Sequence, residues 1–159
     1  LERARILVER EDRVIPFHYA NVLCGACMLA LATLARTPAS ERAAAWGPVR
    51  RQLRLAARNA RKVASAQVEV LRLEGLGHWI MGRQDRAMRR WERALSRADT
   101  LGAIVEHART RLVMAQATQA DGFTRHIGGV EVASLGDQGR RELEVLGVET
   151  SVGAWWVAS

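Results

Sequence analysis

The chain has 159 residues and a mass of 17.6 kDa, about one ordinary domain or a short array of repeats. Hydrophobic residues make up 48% of it, enough to build a core and too much for a disordered chain. The net charge is +7, and two cysteines in Cys24-Gly25-Ala26-Cys27 exclude a disulfide framework.

Residues 1–12 have a helical pattern in Leu1, Ala4, Ile6, Leu7 and Val8. Pro16 suits the first turn of a new helix, where its missing N–H costs nothing. The run from Phe17 to about Leu34 is rich in Ala, Leu, Met and Cys and stops at Arg36-Thr37-Pro38. Ser40 and Glu41 predict the cap of a short helix over 41–46, broken by Gly47-Pro48. A helix from Val49 to about Val63 follows, with Leu53, Ala56, Ala57 and Ala60 on one side. Residues 66–81 carry the apolar set Val68, Leu71, Leu76, Trp79 and Ile80. The strongest periodicity lies in 85–98, where Ala87, Trp91, Ala94, Leu95 and Ala98 form one stripe at helical spacing. The short stretch Gly82-Arg83-Gln84-Asp85 between them predicts an antiparallel hairpin. Residues 101–118 read as a further helix, 119–136 as a glycine-rich loop, and 137–146 as a last helix capped by Gly147. The segment 148–159 is a tail without an assignment. The chain reads as all-α.

The positive excess is local. Residues 14–35 carry no Asp, Glu, Lys or Arg, whereas 36–62 carry eight bases and one acid. Every base in the chain except Lys62 is arginine. The uncharged run Val14–Ala35 is long enough for a membrane span. Pro16, His18, Tyr19 and Asn21 in its first third, and the alanines after them, point instead to a helix covered by protein. Cys24 and Cys27 sit mid-helix, which suits packing better than redox or zinc chemistry. His18, His78, His107 and His126 are scattered, with no metal-ligand spacing. No nucleophile motif, phosphate loop or paired-carboxylate pattern occurs, so the expectation is no catalytic residue, no cofactor and no metal. The opening residues lack a secretory signal layout, so the expected setting is cytoplasmic, within a longer protein.

Leu53, Ala57 and Ala60 map onto Ala87, Trp91 and Ala94 after a shift of 34 residues. The 66–99 hairpin resembles the tetratricopeptide repeat family in Leu71, Glu74-Gly75, His78, Gly82, Ala87, Trp91 and Ala94-Leu95. Small residues at Gly75 and Ala87 would let the two helices approach, Trp91 would fill the groove against the next hairpin, and Ala94 would leave room for its first helix. The family usually has Trp, Leu and Tyr where this chain has Leu71, Glu74 and His78, and Pro where it has Asp99. A looser copy has Met114-Ala115 and Leu143 in the small and large slots, and an earlier one has Cys24-Gly25. The texture of Val70–Gly77, Trp79, Arg93-Ala94-Leu95 and Glu142–Gly147 is similar to the C-terminal repeats of bacterial signalling proteins with STAND-type ATPase, kinase or cyclase domains.

That resemblance implies a right-handed α-α superhelix of about three to four hairpins over residues 1–147. Its first helices, at 17–34, 66–81 and 103–117, would line a concave groove. Asn21, Glu74, His78, Arg111 and Thr118 are the groove candidates. The implied role is a non-catalytic module that binds a protein or peptide, or the parent's own ATPase or kinase domain, and transmits that binding as regulation. A second expectation comes from charge. Arg50, Arg54, Arg58 and Arg61 make one basic stripe, and Arg86, Arg90, Arg93 and Arg97 another. These could bind nucleic acid or an anionic membrane, although interleaved aromatics and a helix-turn-helix pattern are missing.

Overall fold

A long apolar helix lasts in water only if one stripe of it is covered, and the stripes decide how this chain assembles. The computed structural model describes residues 16–120, 122, 125–127 and 129–148. Its helices are α1 (Pro16–Arg36), α2 (Arg42–Ala60), α3 (Ala64–Ile80), α4 (Gln84–Leu101), α5 (Ile104–Ala120) and α6 (Val132–Val145). A two-stranded antiparallel ribbon, β1 (His126–Ile127) with β2 (Val130–Glu131), precedes α6. The helix expected over 1–12 and the tail beyond Val148 lie outside the described residues.

In α1, Ala20, Leu23, Cys24, Cys27, Leu31, Leu34 and Ala35 form the buried stripe. The helix is long and apolar enough to cross a membrane, yet that stripe packs on α2 and α3. Phe17 and Leu29 remain exposed on its outer side. The helix covered on most sides is instead α3, which packs on α1, α2, α4 and α5. The remaining pairings are α4 with α5 and α5 with α6, so each helix meets the next and α1, α3 and α5 meet in series.

The break expected at Gly47-Pro48 does not occur, because α2 runs through it. Pro48 cannot donate to the carbonyl one turn earlier, a loss of about 3 kcal/mol in an isolated helix. Trp46, Val49, Leu53, Ala56 and Ala60 form one buried stripe across the proline, and their packing holds the helix together. The N-terminus of α2 has a further task. Arg42 donates from Nε to the Thr37 carbonyl at 2.9 Å and from Nη2 to that of Ala35 at 3.1 Å. Its Nη1 reaches the Ile80 carbonyl at 3.4 Å, so one guanidinium caps the ends of both α1 and α3.

Two glycines on α3 fix its neighbours. A Cβ on Gly75 would lie 2.3 Å from Trp91 Nε1, and one on Gly77 would lie 3.1 Å from the Trp46 ring and from Leu31. Trp91 is fully buried and donates from Nε1 to the Arg72 carbonyl at 3.1 Å. Its ring centroid is 5.5 Å from that of Trp79. The closest seat of the indole is therefore within its own hairpin, not in the following one as the repeat pattern suggested. Gly82, at φ +68°, reverses the chain between α3 and α4, with Arg83 N–H donating to the His78 carbonyl at 2.9 Å.

The last hairpin departs from expectation at its start. α6 begins at Val132 rather than 137, which shortens the expected loop. Gly136 and Gly139 are contact positions: a Cβ there would lie 2.2 Å from Ala115 Cβ and 2.6 Å from the Ala108 carbonyl oxygen. Hairpins start at Pro16, Ala64 and Ile104, spacings of 48 and 40 residues rather than 34. Helices of 21 and 19 residues in α1 and α2 account for the first spacing, and helices of 17 and 18 in α3 and α4 for the second.

Gly75→Ala should lower stability by about 1–3 kcal/mol, through overpacking against a ring with nowhere to go. Gly25→Ala, where nothing lies within 4 Å of the added carbon, should raise it by about 0.5–1 kcal/mol. Urea-unfolding midpoints of the two variants check both signs.

Candidate functional site

Successive helical residues are about 100° apart, so Gly75 and Gly77 face directions about 200° apart on α3. Glu74 and His78 project between those two directions. Seating Trp91 on Gly75 and Trp46 on Gly77 therefore places α4 and α2 as walls on either side of Glu74 and His78. The result is an open cleft of about 530 Å³.

Each wall presents one helical face. α2 supplies Trp46, Arg50, Leu53 and Arg54, and α4 supplies Arg86, Arg89, Arg90 and Arg93. Arg83 enters from the α3–α4 turn. Seven guanidiniums thus face one carboxylate, Glu74, which pairs with Arg90 Nε at 3.3 Å. The Arg83 guanidinium lies 5.9 Å from the centroid of the Trp46 ring, within cation–π range. The Trp46 and His78 ring centroids are also 5.9 Å apart. Trp46 Nε1 and His78 Nδ1 are buried without a hydrogen-bond partner among the described residues.

The field of the cleft registers on its two titratable groups. Burial, then Arg90, Arg83, Arg86 and Arg50, pushes the His78 imidazole down to about 4. Burial raises the Glu74 carboxyl above its ordinary range, against the pull of Arg90 and Arg93. At neutral pH the cleft holds a neutral imidazole and fixed positive charge.

The structure brings together residues that the sequence put in two separate sites. Glu74 and His78 from the expected groove join Arg50, Arg54, Arg86 and Arg90 from the expected basic patch. The cleft opens on the side of α3 away from α1 and α5, between second helices, and not in a groove lined by first helices. Asn21 is exposed on α1, outside the cleft. Arg58 and Arg61 are exposed on the far part of α2 and its end, also outside it. Arg97 donates to Gln67 Oε1 at 2.7 Å. Arg111 is tied to Glu142 at 2.8 Å and joins α5 to α6. Thr118 is buried, its hydroxyl donating to the Met114 and Ala115 carbonyls of its own helix. Sequence reasoning missed Trp46, Arg83 and Arg89 as site residues. Trp46 stands one turn before Arg50, a signal that was present.

Other polar clusters are structural. Arg72, nearly buried, pairs with Glu106 between α3 and α5, and Arg109 holds the same carboxylate at 2.8 Å. Burial would raise the Glu106 carboxyl, but these two guanidiniums outweigh it and hold it below its usual range. Cys24 and Cys27 are buried free thiols, and burial, then the Glu69 and Glu74 carboxylates, pushes Cys27 up to about 12. Cys24 is raised as well, chiefly by burial. Such thiols pack as small apolar groups and are poor nucleophiles. Among the described residues no three His, Cys, Asp or Glu side chains are grouped to hold a metal ion.

No protein-family model, no curated protein and no solved structure matches this chain.

The His78 shift has a sign that can be checked. The unfolded chain takes up a proton at the ordinary 6.5, the native imidazole only near 4, so acid favours unfolding in that window. Stability of the native protein should fall between pH 6.5 and 4, and His78→Gln should flatten that fall. The raised Glu74 carboxyl acts in the opposite sense, and comparing the two proteins isolates the imidazole. NMR titration of His78 near 6.5 would contradict this reading.

Proposed function

We propose that this chain is a non-catalytic recognition module, a tetratricopeptide-like helical array that takes an anionic ligand into the cleft between α2, α3 and α4. The observation that carries the proposal is the set of seven arginines around a single carboxylate. Guanidiniums keep their protons at all relevant pH and cannot serve as acids or bases, which suits binding better than chemistry. They form rigid forks that grip carboxylate or phosphate through two parallel hydrogen bonds.

The serial packing of α1, α3 and α5, each backed by the helix that follows it, supports the repeat reading, and a right-handed superhelix is what that reading implies. In such an array a ligand gripped by two successive hairpins changes how firmly they are held to each other. In a larger cytoplasmic signalling protein of bacterial type, that change would reach a neighbouring ATPase or kinase domain as regulation. The anion would then be a segment of a partner, a segment of the parent protein, or a small effector. A concave cleft flanked by two helices fits these better than it fits a duplex or a flat bilayer.

Charge reversal tests the site. Arg54→Glu with Arg90→Glu should weaken binding of an anionic probe (hexaglutamate, tripolyphosphate or a single-stranded oligonucleotide) by at least about tenfold. Arg58→Glu with Arg61→Glu, outside the cleft, should leave it within about twofold once salt is fixed. Equal losses in both variants, read by isothermal titration on the 159-residue chain, would mean that a diffuse basic surface does the binding.

A further inference from the structure

The chemistry of the cleft narrows the ligand, granted that the cleft is a binding site. Seven guanidiniums and one carboxylate leave an excess of six positive charges around about 530 Å³, with His78 neutral. A carboxylate ligand brings one charge and two acceptor oxygens per group. Balancing the excess with a peptide would take about six acidic side chains, a strand of about 20 Å at about 3.3 Å per residue. A phosphate group carries nearly two charges and three acceptor oxygens. Three linked phosphates, with one charge on each inner group and nearly two at the end, bring most of that charge within the cleft's volume.

The placement of the arginines agrees. Arg50 and Arg54 stand one turn apart on α2, and Arg86, Arg90 and Arg93 follow the same period on α4. A short anion between these walls is reached from both sides, which a single basic helix cannot do. Glu74 projects from the floor between them and holds Arg90. Two of the lining residues, Trp46 and His78, each hold a buried ring nitrogen without a partner among the described residues.

We propose that the cleft is a site for a compact oligophosphate, free or carried by a nucleotide, in which Glu74 competes with the ligand for Arg90. Removing that competitor should strengthen binding although it removes a polar residue from the site. A merely structural ion pair would give no such gain.

Isothermal titration of the full 159-residue chain at about 0.15 M salt, where surface charge is screened beyond about 8 Å, tests the proposal. The probes are inorganic tripolyphosphate, a nucleoside triphosphate and hexaglutamate. Tripolyphosphate should bind at least about tenfold tighter than hexaglutamate, and Glu74→Gln should tighten it by about threefold or more. Arg93→Gln, an exposed position whose loss leaves the core intact, should weaken it by about tenfold. Equal affinity for tripolyphosphate and the nucleotide identifies the phosphate chain as the whole ligand, and a tighter nucleotide shows that the base adds contacts. Hexaglutamate binding through the cleft with tripolyphosphate weaker would overturn this inference and leave the recognition module standing. Failure of all three probes would overturn both. Unchanged or weakened tripolyphosphate binding in a folded Glu74→Gln protein would remove Glu74 from the proposal's mechanism and overturn it as stated.

Discussion

Two missing side chains on α3 set the geometry of this protein. With Gly75 and Gly77 facing opposite sides, the helix accepts an indole on each, Trp91 from α4 and Trp46 from α2. The residues between those directions, Glu74 and His78, become the floor of whatever the two helices enclose. What they enclose is positive charge, which resists being gathered. A like-charge pair about 8 Å apart in water repels by roughly 0.5 kcal/mol, and salt reduces that further. Losing a buried tryptophan costs about 3–5 kcal/mol. The two indoles therefore outweigh the repulsion of several arginine pairs, and the cleft persists because apolar packing holds its walls.

The arginines divide by what they do. Arg42 caps two helix ends, Arg72 and Arg109 meet at Glu106, Arg97 meets Gln67, and Arg111 meets Glu142. All but Arg109, which shares its helix with Glu106, are absorbed in joining one element to another. The cleft set is different in balance, since one carboxylate serves seven guanidiniums. The local excess, and not the net charge of the chain, is what marks a site. A basic composition alone would have pointed equally to Arg58 and Arg61.

Much of the fold is legible in the sequence, and the failures have physical causes. Periodicity marks α4 because a single stripe of it is buried, and the Gly82 reversal follows from its neighbours on both sides. The break expected at Pro48 fails because local cost is overridden by a stripe packed on both sides of it. The late start expected for α6 fails because Gly136 reads as punctuation, whereas it is a point of closest approach to Ala115. Periodicity tells which residues share a face but not which neighbour covers it. Thr118 and Arg111 were plausible groove residues until their own backbone and Glu142 claimed them. Glu74 and His78 stayed available because no helix sits over their face of α3. The site was half legible: its charges were visible as stripes, but their convergence required the two glycines.

The seat of Trp91 on Gly75 can be observed directly. The indole N–H of Trp91 is buried and donates to the Arg72 carbonyl at 3.1 Å, so its hydrogen is released to solvent only when α4 leaves α3. Native-state hydrogen exchange of that N–H, assigned by comparison with a Trp91→Phe protein, should proceed with the free energy of global unfolding and match the slowest amides of α3. Exchange of the indole hydrogen within seconds, while those amides remain protected, would show that α4 is not pinned to α3 by this contact and that the cleft has no fixed wall.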